Sequence, residues 1–190
     1  MGDPFLRLHP LLRQRWSPIR FDAEHEVRGD DVDVLMEAAR WAPSAGNSQP
    51  WAFIVGRRHD PVHERLAPYL AGSSAVWARA ASLLVANLSH RFVEGTDWEI
   101  SEFSVYDLGQ AVAHMTIQAH ALGLQARQFR AFDRAGIAAD FAVPEHWEVT
   151  SMTAFGRVPR EAATPGELPA GSASVRERRP TVRISWSAER

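Results

Sequence analysis

Between residues 104 and 122 the chain has little choice of conformation. Val105, Leu108, Val112, Met115, Ala119 and Leu122 recur at alternating spacings of three and four, the period of an α-helix with one apolar face. Gly123 is placed to end that helix as a left-handed cap, with Leu124 available for the accompanying apolar contact. Ile117 and the alanines add apolar groups off the stripe, so burial on more than one side is expected.

Elements of another kind flank this helix. Trp51 to Val55 and Ser82 to Ala86 read as short buried strands, and Trp147 to Phe155 alternates like a third. Asp30 or Asp31 is expected to cap a helix that presents Val32, Leu35, Ala38 and Ala39, and that Pro43 and Gly46 stop. Asp60-Pro61 marks another helix start, and Asp133 a further cap. Strands separated by helices indicate an α+β or α/β sandwich and not a bundle. Beyond Arg157, proline, glycine, serine and alanine dominate up to Ser174. An arm without a core of its own is expected to pack on something else. The division expected is therefore a core over residues 1–160 and an arm over 161–190, both parts of one domain.

Composition removes several classes of function. The 190 residues hold no cysteine, which excludes disulfides, thiolate metal sites and thiol redox chemistry. If the chain moves electrons, a bound cofactor carries them. A formal charge of −2 shows no bias toward nucleic acid or anionic membrane. No apolar run suits a signal peptide or a bilayer span, so a cytoplasmic address is expected. His59 and His63 have metal-ligand spacing, but Asp60-Pro61 places His59 ahead of the helix, and no metal is expected. No nucleophile elbow occurs, and neither does GxGxxG or a P-loop. Among seven tryptophans, Trp41, Trp77 and Trp98 are candidates to wall a substrate cleft.

The chemistry concentrates in Ala42-Pro43-Ser44-Ala45-Gly46-Asn47-Ser48-Gln49-Pro50-Trp51. A helix ends at a proline, a small polar loop follows, and a strand begins. Ser44, Asn47 and Gln49 offer donors and acceptors to a planar heterocycle or a sugar chain. As a connection alone, the same residues could serve only to satisfy the backbone.

The segment Pro43 to Trp51 resembles the nitroreductase family, which carries a nearly identical Ala-Pro-Ser-(small)-x-Asn-x-Gln-Pro-Trp-x-Phe string. Further similarities follow in order: Arg15-x-Ser17 leading to Phe21, Asp107-x-Gly109-x-Ala111 leading to Ala121-Leu122-Gly123-Leu124, Phe155-Gly156-Arg157-Val158-Pro159, and Arg176-x-Arg178-x-Pro180. The resemblance implies a three-layer sandwich with a mostly antiparallel central sheet and a homodimer that exchanges C-terminal arms. It implies two flavin mononucleotide (FMN) sites at the subunit interface, each built from both chains, with Arg15, Trp16, Ser17, Pro43, Ser44, Asn47, Gln49, Arg130, Ala131, Arg176 and Arg178 as cofactor-binding residues. Arginines suit the phosphate because a guanidinium donates to it in a bidentate fashion. No side chain is assigned as a catalytic acid or base.

The implied activity passes electrons from NAD(P)H through FMN to a small aromatic or conjugated acceptor (a nitroaromatic, a quinone or an enone) in a ping-pong cycle. Three positions depart from the family's pattern. Ile19 stands where many relatives have a second basic residue, Ser74 where asparagine is frequent, and Ala131 where glycine is common. Alanine restricts positive φ, which bears on how closely the backbone at Ala131 approaches a ligand. These departures leave two alternatives open: a flavin-binding protein without turnover, serving storage or regulation, or a relative that uses FMN for dehalogenation or flavin breakdown.

Overall fold

The computed structural model describes residues 7–159 and 178–179. The chain divides into two units between Pro159 and Arg160. Of the second, only Arg178 and Arg179 are described, both exposed; Arg176 and most of the expected arm lie outside the described residues.

Four strands form one antiparallel sheet: β1 (Trp51–Arg57), β2 (Leu83–His90), β3 (Gln125–Phe129) and β4 (Trp147–Gly156). Their order across the sheet is β1-β2-β4-β3. Strand β2 is central and buried on both faces, and side-chain alternation divides it between two cores. Leu83 and Val85 join one cluster; Leu84, Ala86 and Leu88 join the other. Each fully buried leucine there contributes roughly 1.5–3 kcal/mol of transfer free energy.

Helices α1 (Pro10–Gln14), α2 (Gly29–Arg40), α3 (Pro61–Leu66), α4 (Gly72–Ala78), α5 (Ser104–Ala121) and α6 (Arg134–Asp140) complete the described unit. On the first face, α2 and α5 supply Leu35, Ala39, Leu108, Val112, Met115 and Ala119. On the second, Leu66, Ala78 and Ile137 come from α3, α4 and α6. Helices on both faces of one antiparallel sheet make the expected three-layer α+β sandwich.

Local chemistry explains most boundaries. Gly123 ends α5 at φ 75°, and buried Leu124 returns its N–H to Ala119 O at 2.9 Å. Asp60 caps α3 through the His63 N–H, and Asp133 caps α6 through Gly136 N–H.

Other expectations need correction. Helix α2 begins at Gly29, two residues earlier than a cap at Asp30 would place it. Arg28 is the cap, Asp30 and Asp31 lie in the first turn, and Asp31 takes the Arg28 side chain instead of a backbone donor. Val105 is 41% exposed, so the buried stripe of α5 begins at Leu108. Trp77 is half-buried and packs against Phe21 and Phe129 at the margin of the second core.

Candidate functional site

Strand β3 is an edge strand, and its two faces are used differently. Ala126 and Gln128 face α5, while Arg127 turns to the other side, where its guanidinium lies 4.8 Å from the Trp77 ring centre. Arg127 Nη1 also donates to the carbonyls of Ser17 and Pro18, at 3.5 and 3.3 Å. The N-terminal segment is thereby held along the open edge of the sheet.

That arrangement leaves a cavity of about 420 Å³ between the N-terminal segment, α5 and β3, within the ordinary size of a small-molecule site. Leu12, Ala113, Ile117 and Ala126 give it apolar walls; Arg15, Ser17, Thr116 and Gln128 give it a polar rim. Arg15 Nη1 donates to Ser17 Oγ at 3.3 Å, so the two side chains converge. Thr116 Oγ1 donates its proton to Val112 O at 2.8 Å and accepts from Gln128 Nε2 at 3.1 Å. This fixes the Gln128 amide, whose Oε1 is not engaged by Thr116 and is free to face a donor.

Ser44, Asn47 and Gln49 form a second group. Gly46, Asn47 and Gln49 adopt φ of 58°, 55° and 48°, a left-handed conformation that costs a non-glycine residue roughly 1–2 kcal/mol. Local bonds hold the loop in place: Gln49 N–H donates to Ser44 Oγ at 3.0 Å, and Gln49 Nε2 donates to Asn47 Oδ1 at 3.2 Å. The side chains of Asn47 and Gln49 are exposed, as is Pro43. At the loop's start stands Trp41, 71% exposed, its indole N–H donating to Glu37 Oε1 at 2.7 Å. Hydrogen bonds from Arg40 and Trp41 hold the Glu37 carboxyl down at about 2.

Arg130 and Ala131 form a third group, two residues beyond Gln128. Arg130 is exposed and donates to Thr150 O. Ala131 does not take positive φ. Its carbonyl accepts from the Ala71 N–H at 3.1 Å and from the Ser74 hydroxyl. Two departures from the family's pattern, Ser74 and Ala131, are therefore bonded to each other.

The structure thus brings Arg15 and Ser17 together, with Trp16 half-buried between them, and gathers Ser44, Asn47 and Gln49 elsewhere. The loop is tied to Asp107 and the cavity is lined by Thr116. Asp107 is six positions along α5 from Ala113 and nine from Thr116, both of which line the cavity, a rise of about 9 to about 13 Å at about 1.5 Å per residue. Sequence reasoning missed Arg127, Thr116 and Gln128. For Arg127 and Gln128 the only signal was the alternation of a five-residue strand with little apolar content, and Thr116 lies off the apolar stripe of α5.

The sequence matches the model of the nitroreductase family over residues 12–157. The chain belongs to the nitroreductase family. A Streptomyces coelicolor protein, provisionally named an NADH dehydrogenase/NAD(P)H nitroreductase, is 30% identical over 162 residues, covering 70% of this chain and 80% of its own. The major NAD(P)H-flavin oxidoreductase of Aliivibrio fischeri is 35% identical over 81 residues, 36% of this chain and 37% of its own. A crystal structure of an oxidoreductase containing FMN has a TM-score of 0.82 at 25% identity, covering 95% of this nitroreductase-family chain and 91% of its own. Another, of a provisionally named nitroreductase from Desulfovibrio desulfuricans in complex with FMN, has a TM-score of 0.73 at 25% identity over 98% of both chains.

Proposed function

We propose that this chain is an FMN-dependent NAD(P)H oxidoreductase that reduces a small electron-poor acceptor, a nitroaromatic, quinone or enone, in a ping-pong cycle. The observation that carries the reading is the cavity in which Arg15 and Ser17 stand over apolar walls from α5 and β3. A flat heterocycle with a phosphate tail needs such a combination: apolar surface for the ring and a guanidinium for a group carrying close to two negative charges. Arg15 and Ser17 would hold the phosphate, joined by Arg176 and Arg178 on the ground of the sequence resemblance. Ser44, Asn47 and Gln49 would serve the ribityl chain or the polar ring edge. Their distance from the cavity in one chain agrees with a site completed by a second copy.

When bound, FMN supplies the two-electron chemistry that links a reduced nicotinamide nucleotide to the acceptor. The polypeptide binds, orients and excludes water. Leu12, Ala113 and Ile117 keep the ring's surroundings apolar, and Gln128 offers an oriented amide at the rim. Among the described residues that line the cavity there is no carboxylate or histidine, and solvent would supply the acceptor's protons. We place the reaction in the cytoplasm, the address expected from the sequence, where a reduced nicotinamide nucleotide would be at hand.

Titration with FMN tests the cofactor: the reading expects a perturbed flavin spectrum and a melting temperature that rises with ligand by mass action. Oxidation of NADH and NADPH with a panel of nitro, quinone and enone acceptors then tests turnover. A melting curve unmoved by flavin would sink the proposal. Flavin binding without turnover on any acceptor would turn it toward storage.

A further inference from the structure

Asp107 lies in the first turn of α5 and is 3% exposed. Its Oδ2 accepts the N–H of Ala45, 62 residues away in sequence, at 3.0 Å. Among the described residues this is the one hydrogen bond from residues 44–49 to any element beyond the adjoining strand. The other bonds of the loop are local: Asn47 N–H to Ser44 O, Ser48 N–H to Ala45 O, and Gln49 N–H to Ser44 Oγ.

The economy of this contact is unusual for a purely structural one. Ala45 is exposed, so water could satisfy its N–H, and leaving a carboxylate in contact with solvent would cost less than burying it. The helix N-terminus offsets part of that burial, because its unpaired amides favour a negative charge. What the bond achieves is to fix one end of a loop in which Gly46, Asn47 and Gln49 all take positive φ. Residues in that region persist only where their surroundings over-determine them, and they cluster at ligand clamps. A loop already ordered does not have to be ordered by the ligand, and the saving appears as affinity.

We propose that Asp107 is the positioning residue of the ligand loop: through Ala45 it holds Ser44, Asn47 and Gln49 in their binding conformation before the flavin arrives. The proposal rests on the flavin reading above, and assigns to α5 a role in that site beyond packing.

Two variants break the same bond from opposite sides. Asp107→Ala removes the acceptor. Ala45→Pro removes the donor, and Ser44 already has the extended backbone (φ −147°, ψ 154°) that a residue before proline adopts. Asp107→Asn keeps an acceptor oxygen. Each is measured as the full chain, by absorbance titration with FMN and by hydrogen exchange of residues 42–50 without flavin.

The expected result is a dissociation constant raised about tenfold in Asp107→Ala, matched by Ala45→Pro, with Asp107→Asn within about threefold of the parent. Combining Asp107→Ala with Ala45→Pro should cost no more than either alone, because one bond is being removed twice. Exchange in the loop should accelerate in both single variants and not in Asp107→Asn. If Asp107→Ala does not fold, Ala45→Pro carries the comparison. Parent-like affinity in Ala45→Pro overturns the proposal while leaving the flavin reading intact. Equal losses in Asp107→Ala and Asp107→Asn also overturn it, by making the charge and not the bond the cause. A parent protein that binds no flavin overturns the functional reading and this proposal with it.

Discussion

Among the described residues Arg15 is the one cation that lines the cavity, and its assignment to a phosphate can be separated from a general role in packing. Arg15→Ala should weaken FMN binding by about one to two decades, since a charge-assisted hydrogen bond contributes roughly 1.5–3 kcal/mol. Riboflavin, which lacks the phosphate, should bind almost as before. Arg178→Ala is expected to act the same way, and Arg28→Ala, whose side chain is exposed and paired with Asp31, should change neither ligand. Isothermal titration with both flavins reads all three, and equal losses for the two ligands would assign Arg15 a structural role. A second residue, His63, makes stability depend on pH. It is 6% exposed and its Nε2 has no hydrogen-bond partner among the described residues, and burial lowers its pKa from 6.5. A lowered histidine pKa means that the unfolded chain takes up the proton first. Stability should therefore be unaffected by this group well above pH 6.5 and fall as pH drops below it, by at most ~1.4 kcal/mol per pH unit for one proton. His25, lowered by burial and by the charge of Arg157, adds in the same direction. Urea unfolding between pH 8 and 5 checks the sign. In His63→Gln the slope below pH 6.5 should be shallower, and an unchanged slope would clear His63 of the effect.

Helix α3 and strand β1 approach each other so closely that only glycine fits between them. A Cβ on Gly56 would sit 2.6 Å from His63 N and 2.7 Å from His63 Cα, backbone atoms that cannot swing aside. Gly56→Ala should then cost about 1–3 kcal/mol, the usual range for overpacking, read as a lower urea midpoint with unchanged slope. A midpoint equal to the parent's would mean that α3 is not fixed on β1. Glycine in a strand otherwise reads as a weak point, and nothing in the local sequence announces that a helix start lies against it. Legibility followed the same division. Helix α5, with its spacing of three and four, its Gly123 stop and its buried Leu124, could be read directly, and so could the Asp60 and Asp133 caps, because each depends on residues a few positions apart. Strand β3 could not. Gln125-Ala126-Arg127-Gln128-Phe129 contains one fully buried apolar residue, Ala126, and pairing with β4 defines the strand. The polar loop of the site was visible because its chemistry is contiguous. The cavity was not, since Ala113, Thr116 and Gln128 meet only after α5 has packed beside an edge strand.

At the scale of the molecule, one face of α5 has no cover within the described chain. Val105, Tyr106, Gly109 and Ala113 follow each other along it and are all exposed, with Tyr106 at 64%, and Phe103 is 47% exposed just ahead of the helix. An apolar helix face with small residues in the middle allows close approach of a second backbone. The same face carries Ala113 into the cavity wall, so whatever covers it also borders the proposed flavin. A second copy of the chain fits both facts, and would bring its Ser44–Gln49 loop to the proposed flavin site. Gly109 provides a test that spares the monomer. An added Cβ there meets no atom within 4 Å, and replacing glycine inside a helix by a better helix former stabilises the helix by roughly 0.5–1 kcal/mol. Gly109→Glu should therefore fold at least as well as the parent while placing a charge in the middle of the proposed interface. Obligate homodimer interfaces commonly bury upward of about 2,000 Å² and resemble a divided core, so an uncompensated carboxylate at their centre is disruptive. Light scattering should find the parent as a dimer and Gly109→Glu as a folded monomer, and the monomer should have lost flavin binding along with its partner. A Gly109→Glu protein that remains dimeric would move the interface off α5. One that is monomeric yet binds FMN like the parent would show that a single chain completes the site.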